Sequence, residues 1–250
     1  MSSLPAKFEA EIGKYCRHVW STNFDSAINI SLKYRYMYVE TPKVACSSIK
    51  TLLQRMELES PTFHRADFED IHNRNFSPLL RPSQVGSFDE FLRRNDIVKF
   101  CFVRNPFSRL LSVYLDKIAR SRGQKRQVLL HMGKDPSQFN APISFSEFVD
   151  VVCEQPIVNM DPHWRVQYYQ TFQDGITYDF IGRLESFRQD VVTVMTRINK
   201  DFGRYLSEER RNATDASELL GKHYTEALVR KVRAKYAKDF EAFGYSDRPG

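Results

Sequence analysis

The sequence predicts an α/β fold with a central, mainly parallel sheet flanked by helices. Three apolar segments have the aromatic and β-branched composition of buried strands, at residues 34–40, 97–103 and 178–182. Apolar residues at helical spacing follow each of them. This alternation of strand and helix is typical of chains in which helices cover a parallel sheet.

The first strand, 34–40, leads through a TPK turn into an amphipathic helix. Residues at i, i+3, i+4 and i+7 give this helix an apolar face: Ile49, Leu52, Leu53 and Met56. Its free amide hydrogens and positive dipole end point into the turn, which predicts an anion site. The turn lacks the GxxxxGK[ST] pattern and has no glycine, so an ordinary helix start with a surface lysine is an equal alternative.

The second strand, 97–103, is followed by Asn105-Pro106 and another amphipathic helix, whose first turn suits proline. Arg104 stands at the strand end, and Ser112 lies two turns into the helix, away from its apolar face. Arginine can grip a phosphate through two parallel hydrogen bonds. Open α/β sheets bind ligands at the carboxyl ends of their strands. Two such units indicate a ligand with two separated phosphates, and a structural salt bridge of Arg104 is the alternative.

The middle of the chain predicts a loop and two helices. Residues 120–142 are polar, basic and rich in Gly, Gln and Pro, which indicates a long basic loop or insertion. Ser144 is expected to cap a short helix at 145–153. Another helix should follow the third strand and extend through Ile198.

The C-terminal region predicts one long helix from about Ser217 to Phe240, whose aromatic residues at helical spacing indicate core packing. No Pro/Gly/Ser linker interrupts the chain. We therefore predict a single domain over residues 1–250, with its core at about 34–245.

Composition narrows the functional classes only slightly. The net charge of +6 suits an anionic ligand, but a solvated basic surface explains it equally well. The four cysteines form no CxxC pair and have no zinc-like spacing, so neither a metal site nor a disulfide framework is predicted. No signal-peptide core or run of about 18 apolar residues is visible. These features predict a soluble cytoplasmic protein, with the Golgi lumen possible only if an N-terminal anchor precedes this chain.

The segments PKVACSSIK and FVRNPFSRLLSVY resemble the 5′-phosphosulfate loop and the 3′-phosphate motif of sulfotransferases, especially the carbohydrate branch with the chondroitin 4-O- and HNK-1 enzymes. Further matching segments, in the family's order, are IHNRNFSPLL, DPHWRVQYYQTF, DFIGRLESF and YAKDFEAFGY. The resemblance covers most of residues 36–245. It implies a P-loop-NTPase-like three-layer fold. It also implies sulfuryl transfer from 3′-phosphoadenosine 5′-phosphosulfate (PAPS) to a hydroxyl, with adenosine 3′,5′-bisphosphate (PAP) as product and no metal.

The resemblance also implies roles for individual residues. Lys43 would contact the phosphosulfate bridge oxygen, and Arg104 and Ser112 would bind the 3′-phosphate. The implied 5′-phosphate loop consists of Pro42, Lys43, Val44, Ala45, Cys46, Ser47 and Ser48. Preorganised donors aimed at the leaving oxygen are the main catalytic device in such transfers.

A histidine is expected to take the proton of the acceptor hydroxyl, because its pKa lies near neutral pH. The resemblance implies a histidine or glutamate between the two cofactor motifs, so His72, in the IHNRN segment, is the first candidate for this base and His64 the second. Glu69 and Asp70 are alternatives, or could orient the histidine. For each histidine, a loop residue hydrogen-bonded to backbone is the competing interpretation.

The acceptor is expected to contact His163, Trp164 and Arg165, because relatives carry an HW pair there and tryptophan can stack on a sugar. A core tryptophan with a satisfied histidine is the alternative. Golgi relatives carry a cysteine-bearing segment where this chain has TFQDGI. That departure supports the expectation of a cytoplasmic enzyme and leaves open whether the acceptor is a glycan or a smaller molecule.

Two other functions compete with sulfuryl transfer. A nucleotide or small-molecule kinase would share the strand–loop–helix layout, but the glycines and the GK[ST] motif are missing. A non-catalytic module that binds polyanions would need clustered basic residues and exposed aromatics. The charges here are scattered, and no nucleic-acid partner is predicted.

Overall fold

The computed structural model describes residues 4–64, 71–206 and 219–249. The chain folds into two units, each built from two stretches of sequence. Unit 1 consists of Met1–Val103 and Thr171–Asn212, and unit 2 consists of Arg104–Gln170 and Ala213–Gly250. The single domain over residues 1–250 stays a prediction.

Within its described residues, unit 1 contains one four-stranded sheet with strand order β1-β2-β3-β4. The strands are β1 (Ile28–Ser31), β2 (Tyr36–Val39), β3 (Val98–Val103) and β4 (Phe180–Arg183). β2, β3 and β4 are parallel, and β1 pairs antiparallel with β2. The predicted α/β class and the three predicted strands are thus confirmed. β1 was missed because its sequence, INIS, alternates with polar residues although all four positions are buried.

The helices, in chain order, are α1 (Ala6–Ile12), α2 (Ser21–Ala27), α3 (Cys46–Glu57), α4 (Phe88–Leu92), α5 (Pro106–Val113), α6 (Lys125–His131), α7 (Phe145–Glu154), α8 (Gln167–Gln170), α9 (Phe187–Ile198), α10 (Leu220–His223), α11 (Glu226–Lys235) and α12 (Ala237–Phe243). A short π-helical segment, Tyr114–Ile118, extends α5. The helices predicted after the first and third strands are confirmed as α3 and α9.

The core of unit 1 lies between the sheet and helices α3 and α9. Side chains two residues apart on β2 and β3 share one sheet face, where Tyr38 stacks on Phe100 with ring centroids 5.1 Å apart. The apolar face of α3, including Leu53, and that of α9, including Val194, are buried against this face. Each large side chain buried there stabilises the fold by about 1.5–3 kcal/mol.

Unit 2 is helical within its described residues, and its core gathers α5, α7, α11 and α12 around Trp164. The predicted cap of α7 is confirmed, because Ser144 and Glu147 form a reciprocal capping box. The side chain of Asn105 caps α5 by accepting hydrogen bonds from the amides of Phe107 and Ser108.

Two predictions for unit 2 need correction. The predicted basic loop at residues 120–142 contains a helix, α6, because Val128 and Leu129 are buried in the core. The predicted C-terminal helix is divided into α10, α11 and α12. Its continuity fails at Tyr224, which has extended backbone, and Thr225 begins α11 by accepting from the amide of Leu228. Ser217 lies outside the described residues.

The two chain segments with predicted phosphate contacts begin where strands end. Glu40 follows the last residue of β2 and leads through Thr41-Pro42-Lys43 to α3. Arg104 follows the last residue of β3 and leads to α5. In the part of the chain that the structure describes, every helix is too short or too polar to span a bilayer.

Candidate functional site

The loop between β2 and α3 turns without glycine. Lys43 and Ala45 adopt left-handed backbone conformations with φ of 69° and 52°. This conformation costs a non-glycine residue about 1–3 kcal/mol and concentrates at functional loops. Ala45 precedes α3 and, among the described residues, no side chain caps that helix start. Ser47 and Ser48 lie half-buried in the first turn. The first-turn amides and their dipole therefore face the loop, as an anion site requires.

A hydrogen-bonded chain of three side chains lies beside this loop. The Nδ1 atom of His72 is 2.9 Å from Oε1 of Glu40, and its Nε2 atom is 2.8 Å from Oγ of Ser47. His72 is 32% exposed, whereas the Glu40 side chain is 14% exposed. The histidine is thus fixed at both nitrogens while its edge stays accessible.

Lys50 holds Glu40 from the other side. Its Nζ atom is 2.7 Å from Oε2 of Glu40, and the lysine side chain is only 1% exposed. Burial alone would raise the pKa of the Glu40 carboxyl, but the charge of Lys50 and the hydrogen bond from His72 lower it to about 2. Glu40 is therefore ionised at neutral pH.

The ionised carboxylate determines which tautomer of His72 is present. A carboxylate can only accept hydrogen bonds, so Nδ1 of His72 must carry the hydrogen that Glu40 receives. In the neutral imidazole, Nε2 then has a free lone pair and accepts from the hydroxyl of Ser47. A proton acceptor thus faces a hydroxyl at hydrogen-bonding distance.

One buried polar atom in this loop lacks a partner within the described structure. The side-chain hydroxyl of Thr41 is buried, and it neither donates nor accepts a hydrogen bond within the described residues. Buried unsatisfied hydroxyls cost about 1–3 kcal/mol and often mark a missing ligand or water. Together with the uncapped amides and Lys43, this hydroxyl gives the loop a donor set that fits a phosphosulfate group.

In unit 2, the side chains of Ser108 and Gln167 hold Arg104 through three hydrogen bonds. Its Nε atom donates to Oγ of Ser108 at 2.9 Å. Its backbone amide donates to Oε1 of Gln167 at 2.9 Å, and its carbonyl accepts from Nε2 of Gln167 at 2.8 Å. Ser112 is buried one helical turn beyond Ser108, and residues four apart lie on the same helix face. The predicted pair of Arg104 and Ser112 is thus associated with one face of α5.

Asp239 of α12 supports this arrangement from beneath. Its carboxylate accepts from the amides of Gln167 and Tyr168 at 2.9 and 2.7 Å and from the Gln167 side chain at 3.2 Å. Burial raises the pKa of Asp239 to about 6 in spite of these donors and the charge of Arg109. The C-terminal segment therefore does more than pack: it anchors the residue that holds Arg104.

The predicted acceptor residues occupy different environments. Trp164 is fully buried, packs edge-on against Phe148 and donates to Oε1 of Gln155 at 2.8 Å. Arg165 is buried too and donates to the carbonyl of Met160 at 2.7 Å. His163 is half-buried, with Nδ1 2.7 Å from Asp161. These contacts favour packing for Trp164 and Arg165, and of the three only His163 keeps an accessible edge.

The other candidates for the base differ from His72. His64 is exposed, and its Nδ1 atom lies 3.4 Å from the carbonyl of Thr62, in keeping with a loop histidine bonded to backbone. Glu69 and Asp70 lie outside the described residues. His72 is therefore the candidate that the structure equips with an ionised partner.

A family model described as Sulfotransferase family matches residues 26–246, which includes both loops and α12. The chain belongs to the sulfotransferase family. The match confirms the resemblance inferred from PKVACSSIK and FVRNPFSRLLSVY, and it agrees with a P-loop-like α/β fold.

Among curated proteins, this sulfotransferase-family chain is similar to carbohydrate sulfotransferases. It is 27% identical over 235 residues to carbohydrate sulfotransferase 14 of Mus musculus, covering 87% of this chain and 60% of that protein. It is 26% identical to carbohydrate sulfotransferase 8 of Homo sapiens, covering 98% of this chain and 61% of that protein. The chain thus spans about 60% of the length of these relatives. No solved structure matches it.

The relatives correct one expectation from the sequence. They are carbohydrate sulfotransferases of the Golgi, a family with a luminal role. The predicted cytoplasmic location conflicts with that role and is wrong. The prediction treated missing apolar segments in this chain as evidence of location, although the chain spans only part of its relatives.

The sequence did not reveal several residues of these networks. Glu40 and Lys50 were missed in unit 1, as were Gln167 and Asp239 in unit 2. Glu40 carried a usable signal, because it is a polar residue directly at the end of a buried strand. Lys50 carried none, since a lysine in an amphipathic helix is normally solvated.

Proposed function

We propose that this chain transfers a sulfuryl group from PAPS to a carbohydrate hydroxyl, with His72 as the general base. The observation that carries this proposal is the 2.8 Å hydrogen bond between Nε2 of His72 and the Ser47 hydroxyl. It supports the proposal because it places a hydroxyl at hydrogen-bonding distance from a histidine whose other nitrogen contacts a carboxylate. General-base catalysis needs this separation, about 2.6–3.2 Å.

The donor, when bound, supplies a sulfur centre that is open to in-line attack and has a phosphate as its leaving group. Lys43 and the amides at the start of α3 would hold that phosphate and balance the charge that develops on it. Arg104, oriented by Ser108 and Gln167, would bind the 3′-phosphate together with Ser112. Arginine suits this static role because its planar fork stays charged and matches a phosphate.

His72 would accept the proton of the acceptor hydroxyl at Nε2 as the new bond to sulfur forms. Ser47 occupies this nitrogen in the structure, so the acceptor hydroxyl must displace it. Glu40 would stabilise the imidazolium that results, because a negative charge lies 2.9 Å from Nδ1. A carbohydrate acceptor is supported by the similarity of this chain to carbohydrate sulfotransferases.

Calorimetric titration with PAP, beside ATP and AMP, tests the donor. We expect metal-independent binding of PAP that Arg104→Ala weakens by about 2–4 kcal/mol, which is about 30- to 1,000-fold in Kd. Arg230→Ala, an exposed arginine of the same unit, is the matched control and should bind normally. Equal binding of ATP with magnesium would favour the kinase alternative, and an unchanged Kd in Arg104→Ala would remove the 3′-phosphate role.

A further inference from the structure

Three potential metal ligands of different chemistry meet beside the loop after β2. One ligand atom each from Glu40, Cys46 and His72 lies within 4.8 Å of the other two. They come from three parts of unit 1: the residue after β2, the first residue of α3, and the segment between α3 and α4. We propose that this cluster is a binding site for zinc, at which the ion inhibits the enzyme by occupying His72.

The donor set selects the class of ion. Thiolate sulfur, imidazole nitrogen and carboxylate oxygen together suit Zn²⁺, whereas Mg²⁺ and Ca²⁺ prefer oxygen ligands alone. Zinc holds such atoms at about 2.0–2.3 Å, which places two ligands about 3.3–3.7 Å apart in a tetrahedron. The Glu40–His72 contact of 2.9 Å has to open slightly, and the longest separation has to close by about 1 Å. Side-chain rotations provide shifts of this size.

The surroundings fit a coordinated histidine. Zinc would replace the hydrogen on Nδ1 of His72, and the proton on Nε2 would then be donated to Ser47 at the observed 2.8 Å. Metal-bound histidines almost always donate their second N–H in this way. The thiol of Cys46 would release its proton to solvent on binding zinc, so the site gains a metal–sulfur bond and loses one hydrogen ion.

A buried phenol provides an independent indication of an unfilled polar position. The hydroxyl of Tyr38 has no hydrogen-bond partner in the described structure. Tyr38 is fully buried on β2, two residues before Glu40, and side chains two residues apart along a strand lie on the same face. A water in the fourth coordination position of zinc would give such a hydroxyl a partner.

Lys50 sets the strength of the site. It contacts Oε2 of Glu40, so Oε1, which accepts from Nδ1 of His72 at 2.9 Å, is the oxygen that would exchange its hydrogen bond for the metal. The lysine balances one of the two anionic ligands. We therefore expect weaker binding than at closed four-ligand structural zinc sites. Occupancy would remove the basic nitrogen by fixing the other tautomer of His72. The inhibition rests on the proposed function, but the binding does not.

Cobalt(II) is the probe, because it replaces zinc and gives a thiolate charge-transfer band. Titration of the full chain should produce this band at one equivalent, and zinc should abolish it. Cys46→Ser should remove the band and weaken binding about 100-fold or more, while Cys16→Ser, a half-buried thiol elsewhere in unit 1, should retain it. His72→Ala, at a half-exposed position, repeats the test without altering a buried residue.

A band that persists in Cys46→Ser, or one that Cys16→Ser also loses, would overturn the site, as would the absence of any thiolate band in the wild type. Micromolar zinc should also reduce sulfuryl transfer equally in the wild type and in Cys16→Ser, and a chelator should restore the transfer in both. Failure of PAP to bind would refute the proposed function and leave the cobalt result standing. The two proposals are therefore separable.

Discussion

Glu40 in unit 1 and Asp239 in unit 2 are both carboxyl groups removed from water, yet their pKa values move in opposite directions. That of Glu40 falls to about 2, because Lys50 and His72 outweigh the effect of burial. That of Asp239 rises to about 6, because burial outweighs three neutral hydrogen-bond donors and the charge of Arg109. The difference is a cationic partner in direct contact, which Glu40 has at 2.7 Å.

The different pKa values of Glu40 and Asp239 match two different roles. Glu40 has to be charged to select the tautomer of His72, and its ion pair with Lys50 keeps it charged. Asp239 has only to accept hydrogen bonds from the segment that positions Arg104, and its raised pKa is a cost of placing it in the core. In this protein, the carboxylate paired with a buried cation is the one proposed to act on the catalytic histidine. The carboxylate held by amides has a structural role.

Removing the charge of Glu40 should have the largest effect. In Glu40→Gln the amide can donate to Nδ1 of His72, which places the hydrogen on Nε2 and removes the base. We expect kcat for sulfuryl transfer to fall by about 10²–10⁴-fold, with PAP binding unchanged.

Glu59→Gln is the control for this change, because Glu59 forms an exposed ion pair with Lys33. A pH profile of kcat provides a readout that a merely structural role would not alter. If Glu40→Gln keeps wild-type turnover and pH dependence, the pairing of Glu40 with His72 has no role in catalysis.

Lys50→Met should have the next largest effect, on stability. It leaves the Glu40 carboxylate without its cation, and breaking a largely buried pair costs about 3–5 kcal/mol. Urea unfolding at pH 7 measures this loss. Adding Glu40→Gln should recover part of it, because no unpaired charge then remains. A double variant less stable than Lys50→Met would contradict this account of the pair.

Asp239 should produce a smaller, pH-dependent effect. Its folded-state pKa of about 6 exceeds the ordinary value of 3.8, so the folded state binds the proton more tightly. This contribution is fully present below about pH 4 and is lost as the pH rises to about 6, a decrease of about 2–3 kcal/mol.

The difference in unfolding free energy between the wild type and Asp239→Asn isolates this contribution, because other carboxyl groups cancel. The unfolding free energy of the wild type should fall relative to that of Asp239→Asn between pH 4 and pH 6.5. A difference that stays constant over that range, or that grows in favour of the wild type, would show that Asp239 is not destabilised by burial.

The sequence predicted the parts of the fold that depend on local pattern. Apolar runs located β2, β3 and β4, and the Ser144 cap located α7. It failed at α6, where the burial of Val128 and Leu129 in the core decides the structure, and at the C-terminal helices. The pattern of aromatics predicted one C-terminal helix, but the cap at Thr225 starts a new one.

Some residues of the candidate site could be suggested from the sequence, and others could not. Strand-end position and motif pointed to Lys43 and Arg104 as candidates, and the family resemblance pointed to His72. Glu40 with Lys50, and Asp239 with Gln167, were missed because each pair joins residues distant in sequence or buries a side chain that is usually solvated. Trp164 was placed at the acceptor by motif alone, and its burial became visible only in the packed core.

The most direct test of the account is sulfate transfer from labelled PAPS to unsulfated chondroitin and a panel of other carbohydrates, with wild type, His72→Ala and His64→Ala compared. We expect transfer by the wild type and by His64→Ala. We expect turnover at least about 100-fold lower in His72→Ala, with its affinity for PAP retained. Turnover by His72→Ala close to the wild-type rate would contradict the assignment of His72 as the base.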